Sequence, residues 1–288
     1  MNSPTRIPGP LAQLGEGPLW HHDRLYWVDI TGHALWCTWP DVPRHDCWQF
    51  DRTVNAVLPR RSGGLVLAMN DGLYHFDPAR ASLSLLAQTD IGLPTRCNDG
   101  KCDAAGRLWI GTTPLGNEGP LGSLYRFDLA GRLGRVFPDI GCSNGLAWSA
   151  DQRTMYYIDS PTRRIDRCDF EPTSGTPGHR RPHVLVPPEL GYPDGMAIDA
   201  EGHLWVGHWG GWAVVRYHGE TGAELARLSL PVARVTSCAF GGPRFEQLYI
   251  TTARTGLTDE ELAAQPQAGA LFVATPGVRG LPADEYGG

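Results

Sequence analysis

The chain has 288 residues, of which 41% are hydrophobic and 19% are charged. That composition provides for a buried core and excludes intrinsic disorder. The formal net charge is −6 and no basic cluster exceeds two residues, which excludes the basic surface that a nucleic-acid-binding protein needs.

No apolar run approaches the roughly 20 residues of a membrane-spanning helix, and the N-terminus leads into no apolar signal segment. The seven cysteines are an odd number without zinc-type spacing, which favours reduced thiols. We therefore expect a cytoplasmic protein with no membrane partner. Nothing in the sequence requires more than a monomer.

One pattern recurs along the chain: a polar residue beside a glycine, an apolar stretch, a turn, and then an aromatic-rich strand. Four copies are clear: GEGPLW (15–20) with DRLYWVD (23–29), NDG (98–100) with DAAGRLWIG (103–111), SNGLAW (143–148) with MYYID (155–159), and PDGMAID (193–199) with EGHLWVG (201–207). Two are weaker: NAV (55–57) with GGLVLA (63–68), and SCAF (237–240) with QLYIT (247–251).

The copies begin at residues 16, 55, 99, 144, 194 and 237, a period of about 40–50 residues that is typical of propeller blades. We predict an all-β fold, a six-bladed β-propeller, formed by residues 1–288 as a single domain. The stretch up to Leu14 is expected to pair with the last blade and close the ring. Residues 258–264 (TDEELAA) predict a short helix with Thr258 as its N-cap. Four tryptophans repeat with the blades and are predicted core residues: Trp20, Trp109, Trp148 and Trp205.

Residues in the same register of the innermost strands converge around the channel of a propeller. Here every one carries a side-chain oxygen: Glu16, Asn55, Asp99, Asn144, Asp194 and Ser237. Buried carboxylates repel one another unless a cation lies between them, and carboxylate and amide oxygens suit hard divalent ions such as Ca²⁺, Mg²⁺ or Mn²⁺. The alternative is that these Asx-Gly pairs only form turns. Glu16 argues against it, because glutamate is a poor turn residue, so the set Glu16, Asn144 and Asp194 predicts a metal site.

Four motifs, in order, resemble the SMP-30/gluconolactonase/regucalcin family: LGEGPLW (14–20), RCNDGK (96–101), SNGLAWS (143–149) and YPDGMAID (192–199). The resemblance covers nearly the whole chain and is closest to the bacterial sugar-lactonase branch. It implies a six-bladed propeller that hydrolyses a small-molecule sugar lactone of the glucono-, xylono- or arabinono-lactone class to its aldonic acid.

The resemblance also implies one divalent metal ion (Ca, Zn, Mn, Mg or Fe) held by Glu16, Asn144 and Asp194. It places Arg96 and Asn98 on the substrate. The repeat register selects Asp99, whereas the family selects Asn98. Since successive side chains of a strand face opposite ways, we take Asn98 as the substrate contact and Asp99 as a supporting residue. For Arg96 the alternative is a structural ion pair.

One loop departs from the family pattern. Animal regucalcins carry paired glutamates after the third-blade strand, one of which contacts substrate, whereas this chain has PLGNE at residues 114–118. Glu118 is our candidate substitute in substrate binding. The alternative is that Glu118 is a solvated loop residue.

The mechanism that follows is metal-assisted acyl hydrolysis, in which Asp194 is the catalytic general base. Two rival functions stay open: a calcium-binding regulatory propeller without catalysis, and an organophosphatase or arylesterase. The second would favour an apolar channel mouth, whereas Arg96, Asn98 and Asn117 favour a polyhydroxylated ligand. An interaction scaffold of the WD type is disfavoured because its repeat motif is absent.

Overall fold

The structure is a computed structural model that describes residues 2–116 and 119–288. Strand β1 is Thr5–Arg6. Blade one holds β2 (Gly15–His21), β3 (Arg24–Asp29), β4 (Ala34–Trp39) and β5 (Arg44–Gln49), and blade two holds β6 (Val54–Pro59), β7 (Leu65–Met69), β8 (Gly72–Asp77) and β9 (Ser82–Gln88). Blade three holds β10 (Thr95–Cys102), β11 (Leu108–Pro114), β12 (Gly122–Phe127) and β13 (Leu133–Ile140).

Blade four holds β14 (Ser143–Trp148), β15 (Thr154–Asp159), β16 (Arg164–Glu171), β17 (Thr176–Pro177) and β18 (Arg181–Leu185). Blade five holds β19 (Tyr192–Ile198), β20 (Leu204–Trp209), β21 (Ala213–Tyr217) and β22 (Glu224–Ser229). Blade six holds β23 (Val235–Gly241), β24 (Gln247–Thr252), β25 (Phe272–Ala274) and β1. The six antiparallel sheets confirm the predicted all-β, six-bladed propeller.

The innermost strands β2, β6, β10, β14, β19 and β23 each contact the next around the ring, and β23 contacts β2. Strand β1 closes the last blade by pairing with β25, with Thr5 opposite Val273, as the sequence predicts. Short turns join neighbouring strands. The β2–β3 turn has φ of 49° at His22 and 57° at Asp23, the left-handed values of a two-residue type I′ hairpin.

The C-terminal strap, residues 277–288, runs across one mouth of the channel. Its backbone donates hydrogen bonds from Tyr286 to Pro59 at 2.9 Å and from Gly287 to Gly106 at 3.0 Å, which ties it to blades two and three. Residues 281–284 line the channel together with the last residues of several inner strands. The inner strands begin at the opposite mouth.

The predicted short helix is confirmed as α1 (Asp259–Ala264). Its N-cap Thr258 accepts a hydrogen bond from the Glu261 N–H at 3.2 Å, and the Glu261 carboxylate accepts one from the Thr258 N–H at 2.8 Å. This reciprocal pair satisfies two amides that the helix itself leaves unpaired. Within residues 2–116 and 119–288, no helix is long and apolar enough to cross a membrane.

The aromatic repeat fills the core between blades, and Trp109 and Trp205 are fully buried. Each indole N–H donates to the aspartate six residues earlier, Asp103 or Asp199, at 2.9 Å. In blade three the same aspartate also accepts from the Arg107 Nε at 2.7 Å. One carboxylate thus closes the turn before the second strand and satisfies the buried tryptophan, which explains the recurring D-x-x-G-x-L-W spacing.

Replacing Asp103 by alanine is expected to lower the free energy of unfolding by about 3–5 kcal/mol, because the buried Arg107 and the Trp109 indole lose their partner. Urea unfolding measures the change. Asp128→Ala is the matched control, since Asp128 bonds the Arg132 Nε at 2.9 Å in an equivalent turn, but there the Arg132 side chain is 81% exposed. Its expected cost is within about 1 kcal/mol. Equal losses in the two variants would contradict the role given to burial.

Candidate metal centre in the channel

A β-bulge interrupts every inner strand at or next to the residue that the sequence analysis selected. The pairing slips between Glu16 and Leu19 in β2, Cys97 and Gly100 in β10, Asn144 and Leu146 in β14, and Pro193 and Met196 in β19, with equivalent slips in β6 and β23. A bulge leaves one residue unpaired and redirects its side chain. Asn55, Asn98 and Asp194 are unpaired residues of these bulges, whereas Glu16, Asn144 and Ser237 are paired residues at the edge of theirs.

Blades three and four meet through a chain of side-chain hydrogen bonds. The Asn98 Nδ2 donates to the Asn144 Oδ1 at 2.8 Å and to the Ser143 carbonyl at 2.9 Å. Arg96 donates to the Asn98 Oδ1 at 2.7 Å. Asn98 and Asn144 are buried, 7% and 5% exposed, so these bonds hold the two amides in fixed orientations. The structure therefore brings three of the predicted site residues into direct contact.

The two predicted carboxylate ligands, Glu16 and Asp194, lie close enough to affect each other's protonation. Burial, followed by the charge of Asp99, raises the pKa of Glu16 to about 8. Burial raises the pKa of Asp194 well above its ordinary value, and the charges of Glu16 and Asp99 add to the effect. Arg96 opposes the rise at both carboxylates. Two desolvated carboxylates that repel each other favour a bound cation.

The carboxylates share one local geometry. Glu16 accepts a hydrogen bond from the Gly17 N–H at 2.9 Å, Asp99 accepts one from the Gly100 N–H at 2.7 Å, and Asp194 accepts one from the N–H of Gly195. Each bond leaves other carboxylate lone pairs available. Gly17 has φ of 51°, a left-handed value that glycine adopts without strain.

The donor set fits a hard divalent cation. No group of three histidine, cysteine, aspartate or glutamate side chains among residues 2–116 and 119–288 is arranged to hold a metal. The candidate set of two carboxylates and one amide, Glu16, Asp194 and Asn144, is of a different kind, since the Asn144 oxygen completes it. Oxygen donors of this type, with water in the remaining positions, suit Ca²⁺, Mg²⁺ or Mn²⁺.

The other predicted residues are placed as follows. Arg96 donates to the Cys97 carbonyl at 2.9 Å and lies 3.5 Å from the Asn55 Oδ1, so amide and carbonyl oxygens bind its guanidinium. None of the ion pairs within residues 2–116 and 119–288 includes Arg96, and the structural ion pair stays an alternative. Glu118 lies outside the described residues, and its contact with substrate stays a prediction.

A cavity of about 560 Å³ fills the channel between this cluster and the C-terminal strap. Asp99 and Lys101 line the cavity, whereas Glu16, Asn144 and Asp194 do not. Lys101 is the only lysine in the chain. Its ammonium donates to the Leu146 carbonyl at 3.0 Å and to the Met196 carbonyl. The positively charged ammonium of Lys101 therefore lies in the channel on the strap side of the candidate ligands Glu16, Asn144 and Asp194.

Two residues next to the cluster were missed by the sequence analysis. The Cys142 Sγ lies 3.5 Å from the Asn144 Nδ2 and 3.7 Å from the Asn98 Nδ2. The Ser160 Oγ accepts a hydrogen bond from the Asn144 Nδ2 at 2.8 Å. Cys142 directly precedes the SNG motif and can be found from the sequence, whereas Ser160 follows the second strand and carries no repeat signal.

Comparison with known proteins finds sequences that are similar to most of this chain. Residues 14–254 match the sequence profile of the SMP-30/Gluconolactonase/LRE-like region. Over 266 residues the chain is 41% identical to a Bacillus subtilis protein named as a sugar lactone lactonase, YvrE, with 91% of each chain covered. It is 36% identical over 282 residues to Danio rerio regucalcin, covering 96% of this chain and 95% of the relative.

A solved structure gives the same result at the level of the fold. The crystal structure of a calcium-binding protein, regucalcin, from Agrobacterium tumefaciens matches with a TM-score of 0.94 and 30% identity, covering 99% of this chain and 97% of that chain. The positions of Glu16, Arg96, Asn98, Asn144 and Asp194 all fall within the matched range, residues 14–254.

Proposed function

The chain belongs to the SMP-30/gluconolactonase/LRE-like family, and on this premise we propose that it is a metal-dependent hydrolase of sugar lactones. The observation that carries the proposal is the hydrogen-bonded set Arg96, Asn98 and Asn144, together with the buried carboxylates Glu16 and Asp194, whose pKa values respond to Arg96. This arrangement combines a cation-binding oxygen set with hydrogen-bond donors beside it. The relative named as a sugar lactone lactonase supports the choice of substrate class.

A lactone opens when water attacks its carbonyl carbon and the bond to the ring oxygen breaks. When bound, a divalent cation supplies Lewis-acid chemistry, polarising the carbonyl oxygen and lowering the pKa of water. Beside a cation the carboxylates of Glu16 and Asp194 favour their ionised forms, because an opposite charge reverses the effect of burial. Asp194 then accepts the proton of the attacking water and returns it to the ring oxygen as the C–O bond breaks.

Arg96 and Asn98 orient the sugar. The five N–H donors of a guanidinium suit several hydroxyl oxygens, and Arg96 is already fixed by the Asn98 Oδ1 at 2.7 Å. Because this bond fixes the guanidinium, the substrate meets Arg96 donors that need little reorganisation. Asn98, whose two N–H groups already donate to Ser143 and Asn144, offers its Oδ1. Polar donors at this position support a polyhydroxylated substrate over the apolar ester that an arylesterase takes.

The first experiment tests turnover and metal dependence together. Protein stripped with a chelator is reloaded separately with Ca²⁺, Mg²⁺, Mn²⁺, Zn²⁺ and Fe²⁺. Acid release is then measured on a panel of five- and six-membered aldonolactones. We expect hydrolysis above the spontaneous rate with at least one metal, loss of that activity in the stripped protein, and recovery on reloading. Spontaneous hydrolysis with each metal alone is the control.

Each result decides between the proposal and its rivals. Tight metal binding without turnover on any lactone would overturn the hydrolase and leave the calcium-binding regulatory rival. The Agrobacterium tumefaciens neighbour is described as a calcium-binding protein. Turnover of aryl esters or phosphotriesters without lactone hydrolysis would favour the esterase class. Lactone hydrolysis undiminished in the stripped protein would remove the metal from the mechanism.

A further inference from the structure

Ser160 lies in a short 3-10 helix, Ser160–Thr162, that follows strand β15 of blade four. It is buried, with 8% of its surface exposed. Its Oγ accepts a hydrogen bond from the Asn144 Nδ2 at 2.8 Å and donates one to the Pro193 carbonyl at 2.6 Å. Pro193 directly precedes Asp194. One hydroxyl therefore contacts a predicted metal ligand of blade four and the residue next to a predicted ligand of blade five.

The proton count of this arrangement fixes the orientation of the Asn144 amide. A serine hydroxyl has one proton, and here the Pro193 carbonyl takes it, so the Ser160 Oγ can only accept from Asn144. A flipped amide would place the Asn144 Oδ1 against an oxygen that has no proton to offer. Ser160 therefore requires the Nδ2 to face the 3-10 helix and leaves the Oδ1 facing Asn98.

The Asn144 Oδ1 keeps a lone pair that can bind a cation. The Asn144 Oδ1 accepts from the Asn98 Nδ2 at 2.8 Å, and an amide oxygen has two lone pairs, so one remains for a metal ion. Groups that orient a metal ligand through its other polar atom control the affinity of a site nearly as much as the ligands do. The position of Ser160 matches that role for Asn144.

The turn that carries Ser160 is itself held in place. The Ser160 N–H donates to the Cys142 carbonyl at 3.1 Å. The Asp159 carboxylate accepts from the Cys142 N–H at 2.9 Å. The Thr162 hydroxyl donates to the Asp159 carbonyl at 2.6 Å. The two bonds to Cys142 fix the Ser160 hydroxyl relative to strand β14, whereas the Thr162 bond stays within the turn.

We propose that Ser160 is a positioning residue of the metal centre, which fixes the Asn144 amide with its oxygen facing Asn98 and anchors the backbone beside Asp194. The proposal rests on the proposed function, since it assumes that Asn144 and Asp194 bind the cation. It adds a residue that no repeat or family motif in the sequence selects.

Metal titration of the stripped protein tests this role without reference to turnover. Ser160→Ala is expected to weaken Ca²⁺ or Mn²⁺ binding by about 10–100-fold, as the loss of a ligand-orienting partner does elsewhere. Thr162→Ala is the matched control. It removes a hydroxyl of the same 3-10 helix, but that hydroxyl bonds only to a backbone carbonyl, that of Asp159. We expect its metal Kd to stay within about twofold of the wild type. In an Asn144→Ala background, Ser160→Ala is expected to cause a smaller further loss, because only its bond to the backbone beside Asp194 then remains to be removed.

A second measurement distinguishes a failure of the positioning role of Ser160 from a failure of the proposed function. In the metal-free protein, the side-chain amide resonance of Asn144, assigned by its loss in Asn144→Ala, should exchange slowly with solvent and become fast in Ser160→Ala. Unchanged exchange together with an unchanged Kd would overturn the positioning role even if the wild type hydrolyses lactones. Slow exchange lost in Ser160→Ala, in a protein that binds no cation, would support the positioning of Asn144 and overturn the metal centre instead.

Discussion

At saturating metal, Asp194→Asn is expected to lower kcat for lactone hydrolysis by about 10²–10⁴-fold, the contribution of a positioned general base. The substitution preserves the size of the side chain and leaves an oxygen for the metal. It removes the group that accepts the proton of water. Initial rates of acid release, corrected for spontaneous hydrolysis at each metal concentration, measure the effect.

Glu16→Gln is the matched variant, because it neutralises the other carboxylate ligand without touching the proposed base. We expect its metal affinity to fall by about 100-fold. Its kcat at saturating metal should fall much less than that of Asp194→Asn. Equal losses of kcat in the two variants at saturation would leave both residues as metal ligands and remove Asp194 from proton transfer.

The blades could be predicted from the sequence because the same short-range interactions recur from blade to blade. The D-x-x-G-x-L-W segment encodes a turn closed by Asp103 or Asp199 and a buried indole satisfied by the same carboxylate. These interactions lie within six residues of one another. A periodic sequence therefore predicts them without knowledge of the neighbouring blades. The closing strand β1 was predicted from ring topology alone.

The orientation of site residues was harder to predict, because it depends on bulges. In β10 the bulge lies between Cys97 and Gly100, so the strict alternation of a strand does not hold at Asn98 and Asp99. The repeat register selected Asp99, while the structure places Asn98 against Asn144 and Asp99 on the cavity beneath. A bulge is set by pairing with the adjacent strand, which the local sequence does not specify.

The contacts of Ser160 could not be predicted from the sequence for a related reason. Its partners Asn144 and Pro193 are 16 and 33 residues away and lie in different blades. A serine followed by proline after a strand predicts a turn, and many such turns have no function. Only the folded ring shows that this hydroxyl faces a candidate metal ligand.

Lys101 shows how the channel balances charge below the metal centre. The chain has a single lysine among 25 basic residues, and that lysine donates to two main-chain carbonyls inside the channel. Burial lowers the pKa of Lys101, and the charge of Asp99 partly restores it. Burial likewise raises the pKa of Asp99, and Lys101 opposes the rise. Each charge therefore makes the burial of the other less costly.

Lys101→Met is accordingly expected to lower the free energy of unfolding of the metal-free protein by about 3 kcal/mol at neutral pH, since it removes one of two mutually stabilising buried charges. Denaturant titration measures the change. Arg153→Met removes an exposed cation and should alter stability by no more than about 0.5 kcal/mol. Adding Asp99→Asn to Lys101→Met should restore part of the loss, because the carboxylate left uncompensated is then neutral. A double variant less stable than Lys101→Met would show that Asp99 is satisfied by other groups and that the lysine acts only through the two carbonyls.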